Sequence, residues 1–337
     1  MSPRCLPLIA LWLAQAIAAP GAAAAAAPAR RSAADDSKAR TAAAVTALRG
    51  RGDDKSLATA ALVSQSADAL VLATRAADLA PEDTAIDWIQ LRVCALTPNC
   101  DNRAFATEMR WLDPDNSAAW LPTLAAAWQS ADTVEIDRVL AHMARGTSVD
   151  FYWNRIVVMM FDALKAVSGR LSGRFAASDA ARLAYVEHIA AVKIIPRFAP
   201  LIDACRQSKS GTPRRASCVT VARILRNGDT VNAQFAGIAI ERRLLPVDGR
   251  EYRSLGERRR VLQWRVMTAA EFDRPLLPWL KSAHARWRLS RMRTTRREQD
   301  VILAVLRDHG MPLDPPPPPP PPTPPPAPPE PLHLQPP

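Results

Sequence analysis

A short string of helix punctuation, met twice, constrains the fold of this chain more than any other feature. Leu79-Ala80-Pro81-Glu82-Asp83-Thr84-Ala85 returns as Leu112-Asp113-Pro114-Asp115-Asn116-Ser117-Ala118, at an offset of 33 residues. In each copy a leucine closes a helix and a proline stops it, because proline lacks the amide proton and clashes with the preceding turn. Acidic and hydroxyl residues then offer oxygens to the open amides of the next helix, and alanine lets that helix pack closely. A chain punctuated in this way folds into short helices turning back on one another. Composition agrees: glycine is only 12 of 337 residues, and alanine, leucine and arginine fill much of the rest, residues that favour helix over sheet.

The fold expected is therefore all-α, a stack of antiparallel helical hairpins. Predicted helices cover about 57–65, 67–79, 133–145, 150–167, 179–194, 197–206, 217–227, 231–244, 250–272 and 276–309. Thr84 is the expected cap of a helix carrying Ile86, Ile89 and Leu91. Asp101 would cap one carrying Phe105, Met109 and Leu112, and Ser117 one carrying Trp120, Leu124 and Trp128. The capping-box pattern Thr295-Arg296-Arg297-Glu298 predicts a break near Thr294, and Gly310 followed by Pro312 ends the last helix.

The junction Leu112 to Trp120 resembles the one between repeats of the tetratricopeptide repeat family, and the unit Ser117–Asp150 has that family's length of 34 residues. Small Ala127 and the acidic turn at Asp132 fit the hairpin. The resemblance covers about residues 80–150. It implies an α-solenoid-like right-handed stack whose concave face binds a peptide or another protein.

At the N-terminus, Arg4, the apolar run Leu6–Gln15 and the small residues of Ala16-Ile17-Ala18 form a secretory signal, with cleavage expected after Ala18. An uncleaved anchor is the alternative, since alanines continue to Ala27, but Pro20 and Gly21 interrupt the run. The domain plan is thus signal peptide 1–18, Ala-rich linker or weak helix 19–54, helical-repeat domain 55–311 and proline-rich disordered tail 312–337. The tail holds the unbroken run Pro315–Pro322 and has no means of building a core. As polyproline II it would reach about 70 Å at ~3.1 Å per residue.

Removing the signal also removes Cys5 and leaves Cys94, Cys100, Cys205 and Cys218, an even number in an exported, periplasmic or secreted chain. Local pairing, Cys94 with Cys100 and Cys205 with Cys218, would bracket two turn-rich segments and staple neighbouring helices. Neither pair has the spacing of a zinc knuckle, and a redox Cys-x-x-Cys is absent.

The residues carry no catalytic, cofactor or metal motif. His142, His188, His284, His309 and His333 are scattered without the i, i+4 spacing of a helical metal site. In Gly169-Arg170-Leu171-Ser172-Gly173 the serine is one place late for a nucleophile elbow, and a flexible loop is expected. No Glu-Ser dipeptide of the kind used by helical wall-cleaving enzymes occurs. Trp111, Trp120, Trp128 and Trp153 are expected in the hairpin core.

Charge is lopsided. Segment 81–150 holds eleven acidic and five basic residues, whereas 241–300 holds sixteen basic and eight acidic. Export argues against a nucleic-acid partner and for an anionic envelope surface or an acidic protein. On a helical wheel only Arg286, Arg293 and Arg297 share a face. The leading functional expectation is a non-enzymatic binding or scaffold protein with a protein or peptide partner. The alternatives are an envelope enzyme with a single unrecognised carboxylate, and an anionic-surface binder working through 241–300.

Overall fold

A computed structural model describes residues 26–171, 178–272 and 278–317. Residues 1–18, read from the sequence as an expected signal, Ser172 with Gly173, and the tail from residue 318 onward, His333 included, lie outside the described residues. Among the described residues the chain is all-α, with fifteen α-helices, two short 3-10 turns and no strand. A single bridge pairs the backbones of Asn116 and Ser148.

The N-terminal row comprises α1 (Ala26–Arg49), α2 (Asp54–Val63), α3 (Ala69–Leu79), α4 (Thr84–Leu96) and α5 (Arg103–Leu112), each packed on its predecessor. Next come α6 (Leu121–Gln129), α7 (Thr133–Met143), α8 (Trp153–Val167), α9 (Asp179–Lys193) and α10 (Ala199–Arg206). The chain ends with α11 (Pro213–Leu225), α12 (Val231–Leu244), α13 (Arg250–Glu271), α14 (Pro278–Met292) and α15 (Glu298–Asp308). Neighbours such as α2–α3, α6–α7 and α11–α12 form hairpins, while the distant pairs α7–α11, α2–α8 and α9–α14 draw the hairpins together. Helix α8 is the common strut, touching α1, α2, α9 and α14.

Helices α2, α4, α7, α9, α11 and α12 start where a short polar side chain accepts from an open amide, though not always at the expected residue. Asp83, not Thr84, caps α4, accepting from the amides of Ala85 and Ile86. Asn116 replaces Ser117, which instead donates to the Met143 carbonyl. Asp101 accepts from the Arg103 amide at 3.1 Å but stands one residue before the cap position, held by Asn102. At the first two places the capping oxygen belongs to the residue whose backbone is still extended, Asp83 and Asn116, whereas Asn102 makes no side-chain cap bond, and these differences lie beyond pattern reading.

Burial follows the apolar stripes. One core cluster extends from Ala44 of α1 to Val301 of α15, and a smaller one joins α12 to α13 through Val231, Ile238, Leu255 and Leu262. Small residues set the closest approaches: a Cβ at Gly237 in α12 would stand 2.5 Å from the Arg226 amide nitrogen and 2.6 Å from the Ala222 carbonyl oxygen. Of the two readings of 19–54, the described part is helix, and Ala44 and Leu48 at its end are fully buried against the core. No helix among the described residues is long and apolar enough to cross a membrane.

Candidate functional site

Helix α8 presents Arg155, Val158, Met159, Asp162, Ala163 and Ala166 along one helical face, of which Ala163 is buried. The cap of α2, the cap of α4 and the end of α14 close around it and leave a cleft of about 380 Å³. Val158, Met159, Ala163, Ala166 and Met292 supply an apolar floor, and the rim is charged. Arg51 pairs with Asp53 at 3.0 Å, Arg155 with Asp83 at 2.9 Å, and Arg293 with Asp162 at 2.7 Å. Each arginine keeps 43–56% of its side chain exposed. Lys55 adds a fourth cation. Asp53 accepts from both the Ser56 amide and the Ser56 hydroxyl, and against burial these bonds together with Arg51 hold its carboxyl below the usual range.

These residues are spread from 51 to 293, so no local motif announces them. Only the exposed face of the helix expected at 150–167 was available as a signal in the sequence.

The expected cationic trio is dispersed. Helix α14 ends at Met292, which leaves Arg293 in the following turn and Arg297 at the start of α15. Arg286 donates to Asp179 at 3.1 Å, Arg293 to Asp162, and Arg297 to Asp300 of its own helix at 2.9 Å. The wheel that united them assumes an unbroken helix, and the turn removes that premise. Elsewhere the two segments meet where Arg296 donates to Asp150, while Arg288 donates to Glu187 of α9.

The cysteines pair locally, Cys94 with Cys100 and Cys205 with Cys218. The first bond closes the α4–α5 turn, and the second joins α10 to the second turn of α11.

The tryptophans divide. Trp153 is buried, and Trp120 and Trp128 are half-buried against the core. Trp111 instead is 79% exposed on α5, because the side of that short helix facing the core is already filled by Ala106 and Met109. Trp120 is covered by the Arg110 guanidinium at 4.2 Å and stacks on His142 at 4.3 Å. Burial and three neighbouring arginines hold His142 below the usual imidazole range. His284 and His309 join Phe272 and Trp287 in an aromatic cluster behind α13–α15. No group of three metal-ligating side chains occurs among the described residues.

Two carboxylates come together where four loops meet. Asp150 accepts from the Tyr152 amide at 2.7 Å and from Arg296, and Asp229 accepts from the Trp153 amide at 3.2 Å. Burial and the charge of Asp150 push Asp229 well above the usual carboxylate range. Asn116 donates to the Asp150 carbonyl and to the Tyr152 hydroxyl, which in turn donates to Asp113 at 2.6 Å. Tyr152 itself is held at a φ of 56°, a left-handed conformation that a bulky residue adopts only when its surroundings fix it. Both acids are at most 4% exposed and neither lines the cleft. The arrangement ties these loops together.

No protein-family profile matches the chain, and neither a curated protein nor a solved structure matches it.

Proposed function

We propose that the chain is an exported, non-enzymatic helical-repeat binding protein that seats a polypeptide segment in the cleft along α8. The observation carrying this reading is the pairing of an apolar floor with a rim of exposed ion pairs. Such pairs contribute only about 0–1 kcal/mol each, so a ligand's own charges can replace them at little cost. Methionine on the floor, Met159 and Met292, repacks readily around different side chains.

Tetratricopeptide-like organisation of residues 80–150 is supported by the α6–α7 hairpin, by its Asp132 cap and by the closure of Asn116 onto Ser148 and Asp150. Export is supported by the 1–18 signal pattern and by two disulfides, which persist in oxidising compartments.

Selection from a random peptide display library tests the reading. Enriched peptides should bind the parent and lose at least about tenfold in affinity to Ala166→Trp, which fills the floor, and to Arg155→Ala, which opens the rim. Failure to enrich, or binding indifferent to both substitutions, would reject the cleft as the site.

A further inference from the structure

The end of α15 is built to return the chain. Gly310 has a φ of 64°, its amide bonds the Arg307 carbonyl and the Met311 amide bonds the Leu306 carbonyl. This is the double bond of a Schellman cap, which needs glycine at the left-handed position. The chain leaving it runs over α13. The Trp264 indole donates to the Pro312 carbonyl at 3.4 Å, Arg265 donates to the Leu313 carbonyl at 2.8 Å and to Asp314 at 3.2 Å, and Arg260 donates to the Pro316 carbonyl at 2.9 Å. The tail expected to be free from Pro312 is thus held as far as Pro316.

A proline run offers carbonyl acceptors and no amide donors. A surface that reads it must therefore supply donors and flat or apolar faces. Arginine and the tryptophan indole donate and do not accept. Glu257, the acid on this face, is engaged by Arg260 at 2.7 Å, which also fixes the guanidinium. Arg253, Glu257, Arg260 and Trp264 recur at helical spacing along one side of α13. Arg253 stands seven residues ahead of Arg260. At ~1.5 Å per helical residue that is about 10 Å, the length of three to four residues of polyproline II.

We infer that this side of α13 is a recognition track for a proline-rich segment, and that its occupant is the chain's own tail, running antiparallel to the helix. It is a different surface from the α8 cleft and shares no residue with it. Tethering keeps the tail near millimolar effective concentration, so the track is closed to other proline-rich chains until the tail is released.

The test uses a labelled peptide with the sequence of residues 312–326 and the full-length chain. A released variant carries Asp314→Lys together with serine at every position from 315 to 322. The peptide should bind the released variant with saturation, and the parent at least about tenfold more weakly. Adding Arg260→Ala and Trp264→Ala to the released variant should abolish binding while circular dichroism stays unchanged. Equal binding to parent and released chains, binding that survives the Arg260 and Trp264 substitutions, or no binding to the released chain up to about 1 mM would each overturn the inference.

Discussion

Asp87 lies in α4, only 3% exposed, with neither carboxylate oxygen hydrogen-bonded. Burial, reinforced by the charges of Glu108 and Asp83, pushes it up to about 7. The folded chain therefore binds a proton that the unfolded chain has released, and stability falls as pH rises from about 4 to about 7, then levels off. Glu298 shares the window: burial raises it to about 7 although the Val231 amide donates to it at 2.7 Å. Asp87→Asn should remove part of this slope. We expect it to match the parent near pH 4 and to exceed it by about 1–3 kcal/mol at pH 8, measured by urea unfolding across pH. An unchanged slope would mean that Asp87 is solvated in solution. Composition and spacing could not single out this aspartate, because its environment is made by residues elsewhere in the chain.

Among the elements, the α11–α12 hairpin depends on the absence of a side chain. Gly237 sits where a Cβ would overlap backbone atoms of Arg226 and Ala222, and backbone cannot swing aside as a long side chain can. Across the same crossing Arg226 donates to the buried Glu241 at 2.7 Å. Gly237→Ala should cost at least about 2 kcal/mol, read as a lowered thermal midpoint, even though alanine is the better helix former by about 1 kcal/mol. A rise in the midpoint would show that the two helices stand further apart. The neighbouring staple between Cys205 and Cys218 was legible beforehand, since spacing and an oxidising destination suffice to propose it. The closeness of the helices was not.

At the scale of the whole molecule, α1 is tied into the core through α2 and α8, although its sequence reads as an alanine-rich lead-in. Leu48 is completely buried. Leu48→Ala should therefore destabilise the chain by about 2–4 kcal/mol, seen as a lower urea midpoint with an unchanged m-value. A loss under about 0.5 kcal/mol would restore the reading of 19–54 as a linker.

Read alone, the residues give the all-α class, the positions of most helices and the break near Thr294, and they favour local pairing among the three ways four cysteines can join. Each of these is local: helix propensity, proline stops, caps and short cysteine loops act within a few turns of chain. Tertiary structure decided the rest. It sent Arg286, Arg293 and Arg297 to three separate carboxylates, exposed Trp111, and gathered Asp113, Asn116, Asp150, Asp229 and Arg296 at one joint. It also assembled the α8 cleft from residues between 51 and 293 and laid Pro312–Pro316 along α13. The physical reason is that burial and charge pairing depend on which helix faces meet, and those meetings join residues more than a hundred positions apart, as with Asn154 and Thr295 or Arg293 and Asp162.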